Sequence, residues 1–140
     1  MQRIITLTLL CFAALTLKTG PVYAIPQFQK VFFEVYINGH EDPEFAEFVK
    51  TKVKCLACHQ GKKKTHHNAY GEHLEELLDK KEDKKNVEKI SAALEQVAEL
   101  PFDPEDEESE TYGERIAAGK LPGADTLDEL KAEPEGDEEE

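Results

Sequence analysis

Beyond residue 24 the chain holds only two cysteines. They stand three positions apart, with a histidine directly after the second: Cys55-Leu56-Ala57-Cys58-His59. This spacing limits what the chain can fold into. A disulfide closing so short a loop removes little entropy from the unfolded chain, so the pair is a poor staple for a scaffold. The rest of the sequence is thin in core material, with 39% hydrophobic and 34% charged residues, and part of the apolar share falls in the first 24 residues. Small domains with little apolar surface to bury are marginal. The cysteine pair is therefore expected to serve chemistry, and that chemistry to supply part of the core.

The first 24 residues have the pattern of an export signal. Arg3 gives a positive start and Ile4 to Leu17 is mostly apolar. Pro21 breaks the run, and Val22-Tyr23-Ala24 suits a signal peptidase. An uncleaved anchor is the alternative, but the run is shorter than the roughly 20 residues a spanning helix needs, and Lys18 closes it. Cys11 follows Leu9 and Leu10 too early to read as a lipid-attachment site. No later segment is apolar enough to span a bilayer. The remaining chain, from about Ile25, is expected to be periplasmic or secreted, with no stable membrane insertion after cleavage.

The formal net charge of −13 is unevenly placed. Ile25 to Phe102 carries 12 lysines against 14 acids, a net −2, whereas Asp103 to Glu140 carries 3 basic residues against 16 acids, a net −13. Phosphate repels such a chain, so nucleic acid is not an expected partner.

The remaining pattern is helical. Phe28 to Ile37 is rich in aromatic and β-branched residues and fits either helix or strand. Asp42-Pro43 opens a helix through Phe45, Phe48, Val49 and Val53 that leads into Cys55. A polar linker with His66 and His67 spans Gln60 to Asn68. Ala69 to Lys80 and Asn86 to Leu100 read as two further helices, the second with Val87, Ile90, Leu94 and Val97 inward and Pro101 as its stop. Thr111-Tyr112-Gly113-Glu114 matches a capping box and predicts a short helix to Ala118, stopped at Gly119 and docked by Tyr112, Ile116 and Leu121. Glu133 to Glu140 reads as solvated tail.

Cysteines at this spacing, followed at once by histidine, are the attachment signature of c-type haem. One helical turn lets both thiols reach the two vinyl groups on one edge of a haem, and the next residue, His59, lies under the iron as its axial ligand. Three other readings stand beside it. A thioredoxin-like dithiol lacks its βαβ context. A zinc site could combine Cys55 and Cys58 with two of His59, His66 and His67, at spacings unlike a usual finger. A plain disulfide suits a secreted chain.

The chain resembles the c-type cytochromes at this motif. It is most similar to short exported single-haem bacterial proteins in which the motif precedes a Gly-Lys-rich linker, here Gly61-Lys62-Lys63-Lys64, and Asn-x-Tyr-Gly, here Asn68-Ala69-Tyr70-Gly71. Thr111-Tyr112-Gly113-Glu114 to Leu121-Pro122-Gly123 also looks like that group. The resemblance covers roughly residues 45–123 and implies one covalent haem c and electron transfer with an unidentified redox protein. The expected layout is a signal peptide at 1–24, an all-α, cytochrome c-like haem-binding domain at 25–123 and an acidic, disordered tail at 124–140. No enzymatic activity is expected of a plain electron carrier.

The second axial ligand departs from the common pattern, because the only methionine is Met1. His73 is the favoured candidate, since it falls on the apolar stripe of the helix from Ala69; the other reading is a core-edge histidine bonded to backbone or to Glu76. His66 and His67 sit in the polar linker, and nothing fixes the direction of His40. With no sixth ligand, the same motif would make a five-coordinate haem sensor or a peroxidase-like protein. Lys50, Lys52, Lys54, Lys62, Lys63 and Lys64 bracket the motif and are either a solvated face or a patch for haem propionates and an acidic partner. Asn68 and Tyr70 either hold a propionate or the loop carrying His59, and Tyr70 equally fits the core.

Overall fold

The structure, a computed structural model, describes residues 27–134; the expected export signal and the end of the acidic tail lie outside the described residues. Helices dominate. α1 (Gln27–Phe32) continues into a π-helical turn (Phe33–Ile37), so the ambiguous aromatic stretch is helix. It buries Val31, Phe32 and Ile37. It packs on α4 (Val87–Ala98), where the Tyr36 hydroxyl donates to the Leu94 carbonyl at 2.9 Å.

α2 (Pro43–Phe48) starts as the sequence predicts. The Asp42 carboxylate accepts the backbone N–H groups of Glu44 and Phe45 at 2.9 and 3.1 Å, with Pro43 in the first position. A cap of this kind contributes about 1 kcal/mol. The helix loosens into a π turn (Val49–Val53) and then tightens into a 3₁₀ turn (Lys54–Ala57) at the cysteines. Lys54, with φ of 52°, makes the corner between them. β1 (His59–Gln60) and β2 (His66–His67) then pair antiparallel with His59 opposite His67, so the polar linker is a tight hairpin.

α3 (Ala69–Leu77) is shorter than predicted because Leu78 turns extended and the chain enters a loop fastened by Asp79 and Asp83. In α4, Ile90, Leu94 and Val97 point inward as expected, but Val87 is 42% exposed. It occupies the first helical position, behind its cap Asn86 and beyond the edge of the core. α5 (Tyr112–Ala117) has the predicted reciprocal cap between Thr111 and Glu114, and it buries Tyr112 and Ile116 beside Leu121.

The acidic tail expected from residue 124 does not begin there. Thr126 and Glu129 form a second capping box that starts α6 (Leu127–Lys131). Leu130 is 1% exposed, and its carbonyl accepts the Gly61 N–H at 2.9 Å. The Glu133 carboxylate accepts the Lys62 N–H at 3.0 Å. This segment straps the hairpin from behind. Its approach is held by Arg115, a buried cation stacked 3.6 Å over Phe102. Arg115 pairs with Glu110 at 2.8 Å and Asp125 at 2.7 Å and donates to the carbonyls of Leu121 and Ala124.

Leu130→Ala should cost about 2–5 kcal/mol in urea unfolding, the usual range for deleting a buried leucine side chain. It should also speed hydrogen exchange at the Gly61 and Lys62 amides; unchanged exchange there would mean that the strap does not hold the hairpin. Among the described residues, no helix is long and apolar enough to cross a membrane.

Candidate functional site

Leu56 and Ala57 are buried, and they anchor the 3₁₀ turn so that Cys55, Cys58 and His59 face a cleft of about 910 Å³. Sites that enclose a sizeable organic ligand run to roughly 300–1,000 Å³. The walls are apolar: Phe28 and Phe32 from α1, Leu74 and Leu78 from α3 and the residue after it, and Ile90 and Leu94 from α4. Cys55 and Cys58 are unbridged and half-buried. Burial, with Cys55 alongside, pushes the Cys58 thiol up to about 12, so it stays protonated and resists casual oxidation. The Gln29 amide lies 3.6 Å from the Cys55 sulfur.

His59 has the arrangement of a neutral ligand. Its Nδ1 lies 3.2 Å from the His66 carbonyl oxygen, which can only accept; Nδ1 therefore carries the proton and Nε2 the free lone pair. Burial, followed by neighbouring His67, holds the imidazole below its ordinary pKa and keeps it uncharged near neutrality.

The turn is locked from behind by Asn68. Its amide nitrogen donates to the carbonyls of Leu56, Ala57 and His59 at 3.1, 3.2 and 3.3 Å, while its side-chain oxygen accepts the Gly71 N–H at 3.0 Å. Its backbone N–H reaches the Cys58 carbonyl at 3.1 Å. Of the two roles open to it in the sequence, Asn68 holds the loop carrying His59. Tyr70 is wholly buried against Phe32 and Tyr112, and its hydroxyl has no hydrogen-bond partner among the described residues.

The other histidines separate. His40 accepts the Asp42 N–H on Nδ1 at 3.0 Å and so donates from Nε2 to the Ile116 carbonyl at 2.7 Å, pinning the turn before α2 to α5. His67 lines the cleft, with Nδ1 2.8 Å from the Glu75 carboxylate. Its ring lies against His59, tilted by 33° with centroids 4.6 Å apart, so nothing planar fits between the two. His66 contributes its backbone carbonyl to His59. His73 does not line the cleft; it lies edge-on to Tyr112 at 5.8 Å. The physical reason is the division of the α3 surface. Gly71, Leu74 and Leu78 share the cleft face, whereas Tyr70 and His73, three positions apart, both face Tyr112 of α5. No group of three or more His, Cys, Asp or Glu among the described residues is arranged to hold a metal ion.

Of the six lysines bracketing the motif in sequence, only Lys54 lines the cleft. The basic rim comes instead from Lys80, Lys81, Lys84 and Lys85 in the loop between α3 and α4. In the sequence this segment is the end of one expected helix at Lys80 and the unassigned gap before Asn86, and its signal is the doublet pattern Lys-Lys-Glu-Asp-Lys-Lys. The loop is fixed by its own acids. Asp79 accepts the N–H groups of Lys81 and Glu82 at 2.7 and 2.8 Å, and Asp83 accepts the Asp79 N–H at 2.9 Å and the Lys89 ammonium at 2.6 Å.

The Lys89 hydrogen bond, helped by the Asp79 N–H, holds the Asp83 carboxyl below the usual carboxylate range. A depressed folded-state value means that this stabilisation is present above the ordinary aspartate pKa and is lost as pH falls through the lowered one. Asp83→Asn should therefore destabilise the protein near neutrality and flatten the acid limb of its stability profile. Parallel limbs for the variant and the parent in pH-dependent urea melts would contradict this.

Compared with known proteins, the chain matches no family model, no curated protein and no solved structure. The site is therefore read from its own chemistry.

Proposed function

We propose that the protein is a single-haem c-type cytochrome that carries one electron at a time in an extracytoplasmic compartment, periplasmic or secreted. Cys55 and Cys58 would hold the haem through thioethers, and His59 would ligate its iron through Nε2. The observation that carries this reading is the joint placement of two unbridged thiols and a neutral, backbone-oriented imidazole on one apolar cleft. The bound haem would supply a one-electron couple; the chain orients it, screens it from water and leaves an edge for outer-sphere transfer to a redox protein. Residues 1–24 would direct export, and no side chain is assigned a catalytic role.

A second reading has a specific observation behind it. His73 faces Tyr112 rather than the cleft, His67 lies against His59, and the chain has no methionine beyond Met1. An iron without a sixth protein ligand would bind small external ligands, as in a haem sensor or a peroxidase-like protein.

One preparation tests both readings. The chain produced in a host that exports and attaches haem should have the mass of a polypeptide starting near Ile25 plus one haem, surviving denaturation. A bare polypeptide mass refutes the haem reading. Its ferrous spectrum then separates the two: a low-spin spectrum unmoved by carbon monoxide supports the carrier, and a high-spin one with rapid carbon monoxide binding supports the open site.

A further inference from the structure

The four lysines on the cleft rim have an unusual position. Lys80, Lys81, Lys84 and Lys85 all line the cleft, and among the described residues none of them forms an ion pair. Elsewhere Lys30, Lys89, Lys120 and Lys131 each meet a carboxylate within 4 Å. The two acids that share the cleft lining are already committed. Asp79 binds backbone N–H groups of its own loop, and Glu75 binds His67. The lysine loop is also not loose, since Asp79, Asp83, Asn86 and Lys89 tie it to α4.

Asp79, Glu82 and Asp83 offset much of the loop's charge, but Asp79 and Asp83 face backbone N–H groups and Lys89, so the four cleft-lining ammonium groups favour an anion between them. A free inorganic anion would use the lysines but not the apolar walls of Phe28, Phe32, Leu74 and Ile90. The group that satisfies both has a broad apolar body and carboxylates at one edge.

We infer that Lys80, Lys81, Lys84 and Lys85 form a carboxylate-binding rim that receives the two propionates of a porphyrin and so sets which way it enters the cleft. This rests on reading Cys55, Cys58 and His59 as a haem-attachment site, and it deepens that reading. With the carboxylates drawn to the rim, the opposite, vinyl-bearing edge is directed to the cysteines. The order of events follows: ionic capture and orientation come first; each cysteine S–H would then add across a vinyl C=C, the sulfur bonding to one carbon as the π bond is lost and the thiol hydrogen passing to the other, with no oxidant or reductant consumed.

The experiment uses the full chain produced without haem attachment. It is titrated with iron-free protoporphyrin IX, which removes any contribution from an iron–histidine bond, and with its dimethyl ester, which has the same ring and no charge. Quenching of the porphyrin fluorescence reads binding. The diacid should bind roughly tenfold more tightly than the ester, the scale expected of two partly exposed ion pairs, and the gap should shrink with added salt. The exposed lysines can be replaced together (Lys80→Gln, Lys81→Gln, Lys84→Gln, Lys85→Gln), and the gap should then close with ester binding unchanged. Equal affinity for diacid and ester overturns the carboxylate rim alone, because porphyrin binding would survive. Binding of neither porphyrin overturns the rim and counts against the haem reading as well.

Discussion

Gly71→Ala is expected to lower the melting temperature by about 20 °C and, on the proposed haem reading, to cut the yield of haem-loaded protein sharply. A Cβ on Gly71 would land on the Cys58 carbonyl oxygen and press on the Cys58 carbonyl carbon and the His67 side chain. The flexible end of a side chain could give way to it; a backbone carbonyl inside a hydrogen-bonded turn does not. α3 cannot back away, because Asn68 at its N-terminus holds the carbonyls of Leu56, Ala57 and His59. Relief must come from moving the cysteine turn or from breaking those bonds. Overpacking of this kind costs about 1–3 kcal/mol, and each broken hydrogen bond adds about 1 kcal/mol. A total near 4 kcal/mol corresponds to about 20 °C in a domain of this size. Gly39→Ala is the control, since nothing lies within 4 Å of its added Cβ, and it should leave the melting temperature within a few degrees. Matching melts for the two variants would show that the close approach of α3 to Cys58 is not needed.

The same contact explains how much of the site could be read in advance. The cysteine pair, His59 and the Asn68-x-Tyr70-Gly71 run are local patterns, and each proves to be one piece of a single turn-and-helix junction. Caps are equally local, which is why the starts of α2 and α5 were legible at Asp42 and Thr111. The same pattern at Thr126 was legible too, but the negative charge around it argued for a solvated tail and hid a segment that buries Leu130. What the sequence did not carry was the direction of each helix face in three dimensions. A stripe on α3 says that Tyr70, His73, Leu74 and Leu78 are all inward; only packing against both α4 and α5 divides them between the cleft and Tyr112. The same holds for charge. Of the lysines near the motif in sequence only Lys54 reaches the cleft, whereas four lysines more than 20 residues away line it from the loop between α3 and α4.

Removing Cys55 and Cys58, the cysteines we propose to attach haem, should have the second large effect. A chain with Cys55→Ser and Cys58→Ser, exported under the same conditions as the parent, is expected to carry no haem through denaturation and to melt about 20 °C lower. The thermodynamic reason lies in the thin core. Phe28 and Leu74 line the cleft and are only partly buried. A haem seated against the cleft walls removes both their remaining apolar surface and its own from water. Full burial of one large apolar side chain is worth about 1.5–3 kcal/mol, so covering half-exposed ones together with an apolar macrocycle amounts to several kcal/mol. In a domain of this size each kcal/mol moves the melting point by roughly 4–8 °C. Serine is close to cysteine in shape though more polar, and Leu56, Ala57 and Asn68 keep the turn, so the substitution by itself accounts for the smaller part of the loss. A double variant that melts within a few degrees of the parent would mean that the helices close their core without the haem. In that case Cys55, Cys58 and His59 would decorate an already stable fold rather than complete it.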